Sequence, residues 1–424
     1  MNSAIASVIA LVIVIIMIIK KISPVYSLMA GALLGGLLSG WGMTGTVEAM
    51  ISGIKDISPA ILRILAAGVL SGVLIKTGAA DSISSSIVRK LGKKQVYTAL
   101  AISTMILCGA GVFVDVAVIT VAPIAISLQK DLKLPLPKVL LAMIAGGKCG
   151  NVISPNPNTI VAAENYAASL PSVMAANIIP AVITLLVIVY LVIPFIPERQ
   201  TATSYADQTS SPGEKLPSFL ASITGPLTAV ILLSLRPLFG IAIDPAIALP
   251  LGGFAGILAT RKWRETASCL SYGLEKMSGV AILLVATGTI AGIIKASSIK
   301  DVLIAALSSG AMSSLDGNTA GYLLAMVSSI LMTAATASTT AGATISSASF
   351  SPAVLATGAS PLWSAALTNA SATVIDHLPH GSFFHATAGS VGLDIKERLR
   401  LIPYESLTGL LLTGLSFLSA SLIG

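Results

Sequence analysis

The sequence predicts an all-α polytopic membrane protein made of two tandem repeats inserted with opposite topology. Three observations predict it. The 424 residues are 54% hydrophobic and only 10% charged, against about 25% charged in soluble proteins. Such a chain cannot cover a water-facing surface, so most of its surface must face lipid. Glycine spacings recur at an offset near 220 residues. Finally, the basic clusters that follow hydrophobic runs in one half fall where the other half is bare.

Many apolar stretches reach the roughly 20 residues that cross a bilayer as helix. The net charge of +7 is spread in short clusters between those stretches, the distribution of the positive-inside rule rather than of a nucleic-acid patch. Cys108, Cys149 and Cys269 lie in or beside apolar segments without metal spacing, and read as small buried apolar residues. Ala4 to Ile19 has no basic residue before it and Lys20-Lys21 after it. That is the reverse of a signal peptide, so the stretch is expected to be a transmembrane helix.

The internal match runs in order. Gly53 aligns with Gly273, Gly68 with Gly288 and Gly72 with Gly292 at an offset of 220, and Gly31 and Gly35 with Gly252 and Gly256 at 221. Small residues four apart let membrane helices approach closely. The first repeat is expected over residues 1–197 and the second over 219–424. The polar stretch 198–218 between them is read as an exposed cytoplasmic linker.

Basic clusters follow the first helix (Lys20, Lys21), the third (Arg89, Lys90, Lys93, Lys94) and the next apolar segment (Lys130, Lys133, Lys138). Their counterparts in the second half are nearly bare. Conversely, the bare loop near Trp41 matches Arg261, Lys262 and Arg264, and the bare stretch from Tyr166 matches Lys396, Arg398 and Arg400. Opposite insertion follows, and inverted repeats are a mark of secondary transporters. Residues 95–129 have basic clusters on both flanks, so they should enter and leave on one side as a re-entrant hairpin with its tip at Gly109 and Gly111. The partner hairpin is expected from Tyr322 to Phe350, with its tip near residues 336–340. About ten spanning helices plus two re-entrant hairpins are expected, with both termini outside the cytoplasm.

Two apolar segments carry residues that a plain membrane helix does not tolerate. The first holds Lys148, Asn151, Ser154, Pro155, Asn156, Pro157, Asn158 and Thr159. Proline removes a backbone donor and clashes with the preceding turn, so the helix should break here. The second holds Asp376, His377, Pro379, His380, Gly381 and His385. Pro157 and Pro379 lie 222 apart, which makes the breaks equivalent positions. At membrane depth a broken helix is tolerated only against protein or a water-filled cavity. Its free amides suit an anion and its free carbonyls a cation.

A charge at the bilayer centre costs roughly 2.5–3.5 kcal/mol, so it is retained for a reason. Lys148 is expected either to hold a substrate carboxylate or to neutralise Asp115 or Glu164. Glu164 itself is read as a solvated carboxylate near the outer interface. Histidine titrates near neutral pH, so His377, His380 and His385 beside Asp376 suggest proton coupling or substrate contact, with structural hydrogen bonding and metal ligation as competitors. Asp115, Asp376, His377 and His385 are the candidates for proton coupling. Lys148, Asn151, Ser154, Asn156, Asn158, Thr159, Ser338, Thr339, Thr340 and His380 are the candidates for substrate binding. No metal centre and no cofactor are expected. Gly146-Gly147-Lys148 lacks the rest of a phosphate loop and no nucleophile elbow is present, so no enzyme activity is expected.

At these breaks and around them the chain resembles the gluconate permease family of sugar-acid:proton symporters, within a wider group of citrate and dicarboxylate carriers. The likeness runs through Lys76 to Gln95, Val114 to Ser127, Ser154 to Thr159, Ala337 to Pro361 and the break beginning at Asp376. It implies paired hairpins around a central site and movement of the site-bearing domain against a scaffold. The family pattern of histidine and proline-glycine at the first break is replaced by Asn156-Pro157-Asn158. At the second, His377 matches while Leu378-Pro379-His380-Gly381 departs. The expected function is proton-coupled uptake of a small organic acid, such as gluconate, glycerate or a related hydroxy-carboxylate, across the bacterial cytoplasmic membrane. Citrate-like acids and a D-amino acid stay open. The alternatives are a cation/proton antiporter and a sodium-coupled citrate-type carrier. The expected partners are a small organic anion and lipid, with a homodimer as the expected assembly and no nucleic acid.

Overall fold

The computed structural model describes residues 3–20, 22–92, 95–197, 216–239, 241, 243–298, 317–379 and 381–423. Among them every regular element is a helix. The first half runs α1 (Ser3–Ile19), α2 (Pro24–Leu38), α3 (Gly42–Lys76), α4 (Ala79–Leu91), α5 (Val96–Gly109), α6 (Val114–Leu132), α7 (Leu136–Val152), α8 (Pro157–Asn165), α9 (Leu170–Ala176) and α10 (Ile178–Val187). The second runs α11 (Phe219–Phe239), α12 (Pro245–Thr260), α13 (Thr266–Ala296), α14 (Gly317–Thr336), α15 (Thr339–Ala356), α16 (Pro361–Ser371), α17 (Ser382–Val391), α18 (Ile395–Leu399) and α19 (Ile402–Ile423). Most of the expected linker, and His380, lie outside the described residues.

Six helical stretches are long and apolar enough to cross a membrane: Gly42–Lys76, Leu136–Asn165, Leu170–Phe195, Trp263–Ala296, Gly317–Thr336 and Ile395–Ile423. Shorter apolar helices, α1, α2, α5 and α12 among them, supplement these. Their outward faces carry exposed Ile, Leu and Val, for instance Ile5, Leu33, Leu186 and Leu258, the surface a lipid-facing helix presents. In contrast, every residue of α7 is buried. A helix apolar on all sides belongs in a core, and α7 lies there.

The centre is a crossed pair, α3 against α13, held together by backbone approach. A side chain on Gly53 would strike Gly288 and Gly292, while one on Gly68 or Gly72 would strike Gly273 or Cys269. The two helices therefore run antiparallel. Shifting Gly53 by 220 gives Gly273, and shifting Gly68 gives Gly288, so the two contact points are the same pair with the helices exchanged. The flanks follow suit: α2 packs on α13 as α12 packs on α3.

Helix-turn-helix pairs stand where both hairpins are expected. Helices α5 and α6 are joined at residues 110–113, where Gly111 takes a φ of 103° that side chains resist. Helices α14 and α15 are joined at Ala337 and Ser338, and Ala337 holds a left-handed φ of 47° without being glycine. Each hairpin's second arm packs across the halves, α6 on α17 and α15 on α8.

Both expected breaks also form, with one correction. Pro157 opens α8, its missing N–H falling where a helix start needs none. Pro379 lies three residues before α17, so the two prolines are not equivalent positions. Val114 and Thr339, which open α6 and α15, are 225 apart, as are Leu136 and Pro361, which open α7 and α16. The second break is the longer one, spanning residues 372–381 against 153–156.

The helix crossing makes a direct prediction. Gly53→Ala forces a methyl into the Gly288 backbone and should cost about 1–3 kcal/mol by overpacking, read as a lower melting temperature in detergent. Gly279→Ala on the same partner helix meets nothing within 4 Å and should leave the melting temperature unchanged or slightly raised.

Candidate functional site

The two hairpin tips and the two breaks converge on one cavity of about 310 Å³. The first tip contributes Phe113 to Val116 and the second Ala337 to Thr340. The breaks contribute Asn151 and Asp376, α17 adds Phe383, and α13 closes one wall with Lys276 and Val280. Asn151 and Asp376 are 225 apart, as are Asp115 and Thr340. The wall is thus built from equivalent positions that differ in charge.

Asp376 is held from both sides. Its Oδ1 accepts from Lys148 Nζ at 2.6 Å and its Oδ2 from Thr339 Oγ1 at 2.6 Å. Lys148 is fully buried and also donates to the carbonyl of Thr373 at 2.5 Å, which the long break has freed from helical bonding. His377 is buried beside the pair. Its Nε2 lies 3.1 Å from both the carbonyl of Ile402 and the hydroxyl of Ser406. Its Nδ1 lies 3.0 Å from Lys148 Nζ and 3.1 Å from Asp376 Oδ1. That nitrogen can accept from Lys148 or donate to Asp376, according to the tautomer.

Behind His377 the charges continue. Glu405, wholly buried on α19, forms a two-pronged pair with Arg398, whose guanidinium also lies 4.8 Å from the Phe384 ring centroid. Glu405 Oε2 is 3.9 Å from His377 Nδ1. Gly409, one turn along α19, lets that helix lie against the backbone of Thr373 and Val374.

The first break is satisfied mostly by its own amides. Asn156 Nδ2 donates to Asn151 Oδ1 at 2.8 Å, and Ser154 donates to the Asn151 carbonyl at 2.7 Å. Asn158 donates to Asn369 Oδ1 at 2.6 Å, while Asn369 donates in turn to Thr159 at 3.1 Å and to the carbonyl of Val152. These bonds tie the break to α16.

The expected site residues therefore separate. Asp115, Asn151, Ser338, Thr339, Thr340 and Asp376 line the cavity. Ser154, Asn156, Asn158 and Thr159 bond Asn151, Asn369 and the carbonyl of Val112 instead. Lys148 neutralises neither Asp115 nor Glu164; its partner is Asp376. His377 and His385 stand apart: His377 is buried in the charge network, while His385 is exposed and lies 2.8 Å from the Pro379 carbonyl. Among the described residues, no group of three or more His, Cys, Asp or Glu side chains could hold a metal ion.

Three features escaped the sequence. Lys276 lines the cavity, and its only mark is a charge within an apolar run. Arg398, counted above among loop cations, is buried on α18 against Glu405 at the start of α19, a pairing made by the turn between the two helices. Arg63 is the third. It pairs with Glu164 and donates to Asp244 at 2.8 and 3.2 Å, in a second cavity of about 420 Å³. Glu164 is thus paired rather than solvated, and the guanidinium holds Asp244, the N-cap of α12, below the usual carboxylate range.

A helical membrane core with two broken helices meeting at an internal polar cavity defines a membrane transporter. The chain belongs to the GntP family of permeases, whose family model matches residues 2–248. A second model, of a Na+-H+ antiporter family, matches residues 221–310. An uncharacterized transporter of Haemophilus influenzae is 50% identical over 89% of this chain and 88% of its own length. A D-serine transporter of Escherichia coli is 23% identical over 67% of this chain and 69% of its own, and a high-affinity gluconate transporter of the same species is 23% identical over 49% and 47%. Among solved structures, the YdaH transporter of Alcanivorax borkumensis, described as having an unusual topology, matches with a TM-score of 0.62 at 16% identity, covering 88% of this chain and 87% of that one. It shares the fold.

Breaking the buried pair has a stated cost. Lys148→Met strands Asp376 and should destabilise the protein by about 3–5 kcal/mol. The double variant with Asp376→Asn should regain much of that loss, as detergent melting curves of the single and double variants would show.

Proposed function

We propose that this carrier takes up a small organic acid together with protons across the bacterial cytoplasmic membrane. Gluconate, glycerate and related hydroxy-carboxylates are the class of substrate. The observation that supports this reading most is the cavity itself, where hydroxyls of Ser338, Thr339 and Thr340 and the amide of Asn151 surround two carboxylates at the meeting point of both halves. Hydroxyls and amides suit a polyhydroxy acid, and a carboxylate close to the bound anion requires a proton between them. Asp115, Asp376 and His377 carry the coupling proton on this reading; His385 is set apart by its exposed position.

Residues 1–197 and 219–424 are proposed as inverted repeats, with about ten spanning helices and two re-entrant hairpins. The exchange-symmetric contacts of α3 and α13 support the arrangement. Lys276 of the cavity wall lies toward the end of α13 where Lys76 approaches the same Tyr272 ring, and the basic Arg261, Lys262 and Arg264 precede that end. By the positive-inside rule that end is the cytoplasmic one, and the carrier reading takes this state as inward-open. Alternation follows from sliding the hairpins and broken helices past α3 and α13. A homodimer is the proposed assembly, and no cofactor beyond the coupling ion enters the scheme.

The antiporter-family match to residues 221–310 favours a second reading, exchange of a cation for protons without organic substrate. Reconstituted vesicles with an imposed pH gradient separate the two. Accumulation of labelled gluconate, glycerate, citrate or D-serine, collapsed by a protonophore, is the expected result. Proton efflux on adding sodium, without uptake of any acid, would replace it with exchange. Asp376→Asn keeps an oxygen for Lys148 but removes the charge, and should abolish concentrative uptake while the protein remains in the membrane.

A further inference from the structure

We infer that Lys276 on α13, and not Lys148, holds the carboxylate of the transported acid in the inward-open state. The inference rests on the carrier reading above and adds the residue that meets the charge. Lys148, the cation that the sequence offers at the break, is spent: Asp376, His377 and the Thr373 carbonyl surround its ammonium, and it does not line the cavity. Lys276 is the cation that does. Its ammonium sits 5.4 Å from the centre of the Tyr272 ring, with Lys76 from α3 at 5.1 Å from the same ring. An aromatic face attracts an ammonium without neutralising it. No carboxylate among the described residues lies within ion-pair distance of Lys276, so its charge remains available to a ligand.

Its position suits the task. Lys276 and Val280 are one helical turn apart on the same face of α13, so the wall that carries the cation also carries the apolar surface behind it. Asp115 stands on the first hairpin tip, where its Oδ1 accepts from the Val116 amide at 2.9 Å. An acid bridging the two walls would place its carboxylate at Lys276 and its hydroxyls at Thr339, Thr340 and Asn151. Because α13 pairs with α3 through glycine contacts that leave no room for sliding, Lys276 stays with that pair when the hairpins move. The carboxylate contact is then made on the inward side and lost on the outward side.

The test compares Lys276→Gln and Lys276→Arg with the unmodified carrier in vesicles of inside-out orientation, using whichever of gluconate, glycerate, citrate or D-serine the unmodified carrier moves. Lys276→Gln should raise the half-saturation concentration about 10- to 100-fold, the loss of one charge-assisted hydrogen bond. The maximal rate and the melting temperature should hold, and Lys276→Arg should restore most of the affinity. An unchanged half-saturation constant in Lys276→Gln overturns the assignment while the carrier reading stands. So does a lost maximal rate at unchanged affinity, which would place Lys276 in the movement instead of the binding. If the unmodified carrier moves none of the four, the carrier reading falls and this assignment falls with it.

Discussion

The ion pair between Lys148 and Asp376 governs how the two halves meet. Their side chains are 1% and 5% exposed, a placement that is strongly unfavourable unless each charge is paired and its remaining hydrogen-bonding capacity is filled. The long second break makes this achievable. By leaving helical geometry after Ser371 it turns the Thr373 carbonyl and the Asp376 carboxylate toward one point, and a single ammonium from α7 satisfies both. Helix α7 must therefore come close, and glycines allow it: Gly146 and Gly150 have no space for a side chain against α5. The first hairpin is thereby fixed to the helix that carries Lys148, and the second break to the same ammonium.

Backbone and charge follow different rules around the cavity. Positions 225 apart coincide in the opening residues of α6 and α15 and of α7 and α16, yet Asn151 stands opposite Asp376, Lys148 opposite Thr373 and Asp115 opposite Thr340. Each half contributes one carboxylate to the wall, from different places. A site with the same charges twice would bring four ionisable groups into a small volume of low dielectric, where like charges repel strongly. Unlike side chains at these positions avoid that, and leave Asp376 compensated from behind while, among the described residues, Asp115 meets a backbone amide.

How much of this was legible follows from what each signal encodes. Proline positions and the basic flanks report local backbone behaviour, so both breaks and both hairpins could be read at nearly the right residues. The glycine offset reported a helix crossing because close approach excludes side chains wherever it occurs. Partner choice is different. Lys148 finds Asp376 across 228 residues and Asn158 finds Asn369 across 211, and no periodicity carries that information. The histidines looked like one cluster because they are near in sequence. The break between them sends His377 inward and leaves His385 on the outer side of α17. Arg398 was read as a loop cation because charge at the edge of an apolar run ordinarily is one; its burial depends on Glu405, Thr387 and the Phe384 ring reaching it together.

The two cavities lie toward opposite ends of α8. One touches Asn151 and the hairpin tips; the other touches Ile160, Ala163 and Glu164. The nine residues of α8 span about 13 Å at helical rise. The charges on either side are unlike. In the first cavity Asp376 is compensated by Lys148 while Lys276 and Asp115 are not paired with each other. In the second, Arg63 is bound by two carboxylates from separate elements, Glu164 on α8 and Asp244 at the start of α12. An arginine so engaged offers nothing to an incoming anion, whereas it joins α8 to both α3 and α12. On the carrier reading, the cavity suited to an anion is the one whose cation is unengaged, while Arg63 serves to join the helices around the other.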